Sequence, residues 1–478
     1  MPSVPRWLVL SLFGVLNLAA CIETPPPEDS EWALDEAATG EGVVAQGLCK
    51  RCPPPDAGTV FDGGSGGVDG GSGGADGGTD GGLPSSCLAA PMLSSLGKRN
   101  VFVGGKMDDT VASQAPFDVR YIYLAGGLFD SATPCNSCLS CTAGGLSCTN
   151  SSGGCDWWGC WQWDQQAPGQ YLRDFLQAAA VRGQIPMLTY YELLHTSDVV
   201  EGTSEVLATQ NTFLMQRYFN DWRFVLQQIG SSTALLHIEP DFWAYAQFLT
   251  LDPRLQPAAV ASANPTDCAN QENSVAGLGR CMIAMVRKYA PNAKVGLHAS
   301  AWATKIDAHL NTNPLLDVTA EARKVADFLR LAGAADGDFI VVEASDRDAQ
   351  WYQVTTGTNH WWDATNATLP NFRQAFTWAK ALSERLGKPN LWWQLPVGNM
   401  SLPGSWEKWR DNRLDYFFDH PNEVAAAHGL GMVFGSGEEG QTNPSTDSGR
   451  FLQRAQGYYA SGGQAACPIT TGLSASEY

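Results

Sequence analysis

The 478-residue chain is short of positive charge. It has 30 Lys and Arg against 49 Asp and Glu, only 7 His, and a formal net charge of −19 at pH 7. Binding to nucleic acid needs a clustered basic excess. None is present, so electrostatic recognition of DNA or RNA is excluded. Past the N-terminal segment, no apolar run is long enough to cross a bilayer. There is no glycine-rich dinucleotide turn and no Gly-x-Ser-x-Gly nucleophile elbow. His237, His298 and Asp241 could ligate a metal across adjacent strand ends. However, the His-x-His pair that such barrel hydrolases carry after their first strand is missing. No metal and no other cofactor is expected.

What is present is globular: 44% hydrophobic and 17% charged residues. The 13 cysteines suit an oxidising compartment. The 17 tryptophans suit either a sugar-stacking surface or a large aromatic core. Residues 1–21 read as a bacterial export signal, with Arg6 the only charge and an apolar stretch from Trp7 to Leu18. It ends Leu18-Ala19-Ala20-Cys21, which resembles a lipobox and implies a lipid on Cys21. Such a lipid would hold the protein to a membrane surface. Ile22 after it implies the outer membrane, by analogy with Gram-negative lipoproteins. Residues 22–86 form a tether. Within it, 62–82 holds twelve Gly and four Asp in 21 residues and has no apolar surface to bury. A folded domain over 87–468 and a tail over 469–478 complete the chain.

Eight short runs rich in β-formers follow one another in that domain: Asn100–Gly104, Val119–Ala125, Ile185–Tyr191, Ala234–Glu239, Ala293–His298, Phe339–Glu343, Leu391–Leu395 and Gly431–Phe434. Stretches with apolar residues at 3.6 spacing lie between most of them: Gln170–Arg182, Asn211–Ile229, Gln271–Tyr289, Thr319–Ala332, Leu369–Leu386 and Arg413–His428. Strand–helix alternation of this kind predicts an α/β fold, a (β/α)8 TIM-like barrel. Six cysteines (Cys135, Cys138, Cys141, Cys148, Cys155, Cys160) crowd into an insertion loop after the second strand, together with Trp157, Trp158, Trp161 and Trp163. Disulfides fit an exported chain better than zinc does. The rings could form a sugar platform or a small satellite core. Cys268–Cys281 and Cys87–Cys467 are the expected pairs elsewhere.

Polar residues follow almost every strand, where barrel active sites lie. The strongest string is Leu235-Leu236-His237-Ile238-Glu239-Pro240-Asp241-Phe242-Trp243, an apolar strand running into two acids. A carboxyl at such a mouth has its pKa raised and can hold a proton at neutral pH. Glycoside hydrolysis needs one such acid and a second carboxylate. Ile238-Glu239-Pro240-Asp241 resembles the corresponding strand of glycoside hydrolase family 6, the inverting cellulases. That resemblance implies Asp241 as general acid. It covers roughly 185–305, and the chain departs from it in places. Tyr190-Tyr191-Glu192-Leu193-Leu194-His195 stands where the family has an Asp-rich loop, and eight strands are counted against the family's seven. Many retaining barrel glycosidases instead place a Glu after strands 4 and 7. Glu239 fits the first, but Gln394 after strand 7 cannot be a nucleophile.

The candidate catalytic residues are therefore Glu239 or Asp241 as proton donor. The second carboxylate is Glu343, which ends a buried apolar strand, or else Glu192, Asp346 or the Glu438/Glu439 pair. His298, Gln394, Asn399 and Glu438 are candidate hydrogen-bonding groups for sugar hydroxyls. Trp302, Trp393 and Tyr191 are candidate stacking surfaces. The expected activity is hydrolysis of a polysaccharide or oligosaccharide by a monomer, with the membrane reached only through the N-terminal lipid. The alternative is a non-catalytic carbohydrate-binding lipoprotein on a degenerate barrel.

Overall fold

A computed structural model describes residues 87–126, 142–143, 146–147, 157–160, 168–197 and 199–466. Cys21, the tether, Asp130, most of the cysteine-rich loop including Trp161 and Trp163, Asp198, and Cys467 with the tail lie outside the described residues.

Eight parallel strands close into a barrel: β1 Phe102–Gly105, β2 Val119–Ala125, β3 Ile185–Tyr191, β4 Leu235–Ile238, β5 Lys294–Ala299, β6 Phe339–Glu343, β7 Asn390–Leu395 and β8 Gly429–Phe434. Each pairs with its neighbours in sequence, and β1 closes the ring on β8. This is the (β/α)8 architecture that the alternation predicts, and it has eight strands rather than the seven that the family 6 resemblance implies. The principal helices of the outer layer are α1 Asp109–Ala112, α2 Gln170–Val181, α3 Thr212–Ile229, α4 Val275–Tyr289, α5 Val318–Leu331, α6 Phe372–Leu386, α7 Arg413–Asp419 and α8 Arg450–Ala460.

Helix starts are set by side-chain caps. Ser274 accepts from Gly277 N at 3.1 Å and Asn371 from Gln374 N at 2.9 Å. These caps begin α4 and α6 a few residues later than the apolar periodicity indicates. The long helix expected over 413–428 is broken. Pro421 has no N–H to continue it, and a second helix, Pro421–Ala426, starts there. Among the described residues, Ala89–Ser95 precedes β1, and four further helices interrupt the connections or follow strands directly: Leu193–Ser197, Thr203–Ala208, Phe242–Leu249 and Ala349–Thr355. Among the described residues, no helix is long and apolar enough to cross a membrane.

Side chains alternate on the strands as the pleat requires. On β7, Trp392 faces outward onto Phe376 of α6 and Phe417 of α7, with ring centroids 5.4 and 5.2 Å away. Trp393 faces inward onto His237 at 4.6 Å. On β3, Tyr190 packs outward on Trp222 of α3 at 4.7 Å. The expected disulfide between Cys268 and Cys281 is formed, with Cα atoms 5.3 Å apart.

Trp157 and Trp158 are fully buried. Their indole nitrogens donate to Asp221 Oδ1 of α3 at 2.7 and 3.1 Å, and Tyr190 donates to Asp221 Oδ2 at 2.9 Å. These two rings are a satellite core docked on one buried carboxylate, not an open platform. Replacing Asp221 by Ala would orphan three buried donors. Removing one partner of a buried charged network costs about 3–5 kcal/mol, so Asp221→Ala is expected to lower the urea midpoint strongly. Asp221→Asn, which keeps an acceptor, is expected to lower it much less.

Candidate active site

Three residues at the C-terminal mouth of the barrel hold left-handed backbone despite having side chains: Glu239 (φ 46°), Asp241 (φ 63°) and Gln394 (φ 55°). Such conformations cost energy and persist where the surroundings over-determine them. Pro240 between the two acids fixes its own φ, so the chain leaves β4 in a sharp turn. That turn sends Glu239 and Asp241 to different places. Glu239 is buried, and its Oε1 accepts from Tyr218 Oη at 2.8 Å and from the Glu192 and Leu193 amides at 3.2 and 3.4 Å. Glu192 is also fully buried, in the same layer. Asp241 emerges at the mouth, where Ser300 Oγ lies 3.5 Å from its Oδ1.

Asp241, His298 and Glu343 come together there. One polar atom from each lies within 4.8 Å of the other two. His298 Nε2 is 3.8 Å from Asp241 Oδ1 and 4.0 Å from Glu343 Oε2, and has no hydrogen-bond partner. Its other nitrogen faces inward. His298 Nδ1 is 3.0 Å from His237 Nε2, and His237 Nδ1 is 3.2 Å from Thr189 Oγ1. Burial pushes the His298 pKa down to about 3, and burial with the neighbouring His298 ring holds His237 well below the usual range. Both rings are therefore neutral, and each bond in the column has one donor and one acceptor. When Thr189 donates, His298 Nε2 carries a proton and can serve a sugar hydroxyl. When Thr189 accepts, Nε2 presents a lone pair. In that tautomer Asp241, His298 and Glu343 are the residues that could hold a metal ion.

Glu343 is fixed by a second chain. Gln394 Nε2 donates to Glu343 Oε1 at 2.8 Å, and the Gln394 carbonyl accepts from Tyr123 Oη. Gly437 leaves room for this, since a Cβ there would stand 2.3 Å from Gln394 Nε2. Trp393 is 1% exposed and forms the floor beneath the two histidines, with His237 and His298 at 4.6 and 5.8 Å. Asp346 and Glu438 stand at the rim and share Arg347, with Asp346 also accepting from Tyr352 Oη. Trp302 joins Tyr245 and Phe248 in an aromatic wall, with centroids at 5.0 and 5.5 Å. Tyr191 packs edge-on against His195, with ring centroids 5.3 Å apart. Asn399 is not brought to the mouth: it donates to the Asp447 carbonyl at 2.9 Å and braces a loop.

Sequence reasoning missed Tyr123, Ser300, Glu201 and Glu205. Tyr123 had a legible signal, because it lies two residues from Tyr121 on one strand and so shares its face. Glu201 and Glu205 had none, since they lie well past the end of β3, Glu205 on the short helix Thr203–Ala208.

Burial raises the pKa of Glu239, Asp241, Glu343 and Glu205, and neighbouring carboxylates add to it for the last three. Burial, with Asp346 nearby, pushes Asp241 to about 7. Burial and the charge of Asp241 push Glu343 well up. Burial raises Glu239 to about 8, and burial with Glu239 nearby raises Glu205 to about 10. In each case the folded state holds a proton that the unfolded chain, with carboxyl values near about 4, has lost. Stability then falls as pH rises. The contribution is complete below about pH 4 and is lost towards the folded values. The melting temperature is therefore expected to drop between pH 5 and pH 9, and Glu205→Gln is expected to flatten that slope and raise the melting temperature at pH 8. A melting temperature that is flat or rising across this range would contradict the assignment.

No family model matches the chain, and no curated protein matches it. Among solved structures, the hyperthermostable endo-1,4-β-D-mannanase from Thermotoga petrophila aligns with 74% of this chain and 99% of its own, at 10% identity and a TM-score of 0.42. A modular endo-β-1,4-mannanase from Cellulomonas fimi aligns with 82% of this chain and 80% of its own, at 10% identity and a TM-score of 0.41. A β-glucosidase, 1317, aligns with 69% and 75%, at 12% identity and a TM-score of 0.36. Likenesses this distant say nothing of what this chain acts on.

Proposed function

We propose that the protein is a retaining glycoside hydrolase, with Asp241 as acid/base and Glu343 as nucleophile. The observation that carries this reading is the spacing of these two carboxyls, with oxygens within 4.8 Å of each other on the mouth of a barrel. Retaining enzymes hold their carboxyls about 5–5.5 Å apart, while inverting enzymes leave about 6.5–9.5 Å for a water. The short spacing favours retention over the inverting chemistry that the family 6 resemblance implies.

The roles follow from the hydrogen bonds. Glu343 Oε1 accepts from the Gln394 amide, which favours its anion. Burial and neighbouring acids raise both carboxyls, so what distinguishes them is the Gln394 amide on Glu343 against the long Ser300 contact on Asp241, and this assigns the proton of the pair to Asp241. In the first step Glu343 attacks the anomeric carbon while Asp241 protonates the departing glycosidic oxygen. The products are a glycosyl ester and a free alcohol. In the second step Asp241 takes a proton from water, water attacks the same carbon, and Glu343 leaves as carboxylate. A binding protein would have its mouth acids tied up in Arg or Lys pairs. Asp346 and Glu438 are so paired, and among the described residues no Lys or Arg pairs with Asp241 or Glu343. The lipobox-like Leu18-Ala19-Ala20-Cys21 and the Gly-rich segment that follows it support a reading in which this activity sits at a cell surface, on a polysaccharide outside the cell.

A second reading rests on the same three side chains. In the lone-pair tautomer of His298 they offer one nitrogen and two carboxylates to a divalent cation. A chelator separates the two, because carboxyl-pair hydrolysis is expected to survive it. Asp241→Asn and Glu343→Gln are each expected to lower turnover on a glycan panel by roughly 10²–10⁴-fold. Added azide should restore cleavage to Glu343→Gly by taking the nucleophile's place. Glu239→Gln should lower stability more than turnover. Full activity in Asp241→Asn and Glu343→Gln, or loss of activity on chelation, would overturn the carboxyl-pair reading.

A further inference from the structure

The column of side chains beneath the carboxyl pair ends in a buried polar atom with no hydrogen-bond partner, His298 Nε2. Three neighbouring strands supply the column. Thr189 of β3 and His237 of β4 are register partners, and His298 of β5 stands two residues past Gly296, the register partner of His237. Residues two apart on a strand share a face, so all three side chains line the barrel interior. We infer that Thr189 and His237 are positioning residues that hold His298 as a fixed N–H donor, aimed at the oxygen of the sugar hydroxyl next to the anomeric carbon. This rests on the glycosidase reading and adds a contact to it.

The order of the hydrogens follows from Thr189. Its side chain is fully buried, and among the described residues its hydroxyl has one hydrogen-bond partner, His237 Nδ1 at 3.2 Å. Were Thr189 the acceptor there, its own hydrogen would be buried without an acceptor, which is costly. Thr189 therefore donates. His237 accepts at Nδ1 and donates from Nε2 to His298 Nδ1, 3.0 Å away. His298 then carries its hydrogen on Nε2. The charge at the mouth favours the same order. Glu343 Oε2 lies 4.0 Å from Nε2, and an N–H attracts a carboxylate that a lone pair would repel. The column is also firmly seated. The two imidazoles stack with centroids 5.1 Å apart, and Trp393 packs across both at 4.6 and 5.8 Å.

His298 is 1% exposed, and its Nε2 stands 3.8 Å from Asp241 Oδ1 and 4.0 Å from Glu343 Oε2. Both separations exceed a hydrogen bond. The donor is thus kept for an atom set between the two carboxyls, and in the proposed reaction the anomeric carbon is set there. Three oxygens lie on or next to that carbon. The glycosidic oxygen takes its proton from Asp241. A donor on the ring oxygen would oppose the positive charge that develops there. The hydroxyl on the adjacent carbon remains, and hydrogen bonds to that hydroxyl strengthen in the transition state. A cation would need a lone pair at Nε2, so the order of the column also weighs against the metal reading.

The test has two arms. The full-length protein, labelled with nitrogen-15 at histidine alone, is placed in magic-angle-spinning NMR at pH 7. His237→Gln and His298→Gln identify the two rings among the seven histidines. Both rings are expected to carry hydrogen on Nε2 and a lone pair on Nδ1. The opposite tautomer should appear in Thr189→Val and stay absent in Thr189→Ser. Hydrogen on Nδ1 of either ring in the wild type, or a pattern untouched by Thr189→Val, would overturn the column. The second arm is hydrolysis of mannan and glucan oligomers. On the oligomer that the wild type cleaves fastest, Thr189→Val is expected to lower kcat roughly tenfold with KM unchanged, and Thr189→Ser to retain most of it. An unchanged kcat in Thr189→Val would remove the sugar contact. Hydrogen on Nε2 in a protein that cleaves no oligomer keeps the ordered column and removes the glycosidase reading, with its sugar contact.

Discussion

Asp241 and Glu343 face each other across less than 5 Å, and among the described residues no Lys or Arg forms an ion pair with either. Like charges so close, and largely removed from water, cannot both ionise near neutrality. One proton is shared, and the pair titrates as a unit. The rest of the mouth is arranged around that constraint. The neutral His237–His298 column brings polarity to the floor without a charge that would collapse the pair into an ion bridge. Trp393 seals the column from below. Gln394 on the adjacent β7 holds Glu343, and Tyr123 on β2 holds Gln394 in turn. Removing any of these would leave two carboxyls either unsupported or neutralised.

The backbone carries the cost of this arrangement. Glu239, Asp241 and Gln394 adopt left-handed conformations that L side chains disfavour. The barrel beneath is closed and densely buried, and Gln394 sits at a register shift between β7 and β8. The turn at Glu239-Pro240-Asp241 separates two acids that are neighbours in sequence. One becomes a buried acceptor for Tyr218 and two amides, and the other reaches the mouth. Strain stored at a site and restrained by a rigid scaffold is what preorganised chemistry requires.

The scaffold was legible in the sequence because each barrel strand is a short β-forming run bounded by polar residues. All eight expected runs overlap an observed strand, and four share a strand boundary at both ends or miss it by one residue at a single end. Helix ends were less legible, since caps such as Ser274 and the break at Pro421 override apolar periodicity. The site was legible where acids follow apolar strands directly, as with Asp241 and Glu343. It was not legible where distance along the chain hides contact. Glu201 and Glu205 lie well past the strand end, Glu205 on the short helix Thr203–Ala208, and Asn399 follows β7 yet turns to Asp447. Glu239 and Asp241 look equivalent in sequence, and only the backbone turn tells them apart.

The most direct measurement is the anomeric configuration of the first product, followed by proton NMR during cleavage of whichever glycan the protein hydrolyses. Attack by Glu343 followed by water passes through two inversions, so the account predicts that the first-formed sugar keeps the configuration of the bond that was cut. Formation of the opposite anomer would mean that water attacks directly. It would contradict the assignment of Asp241 and Glu343 as a nucleophilic pair.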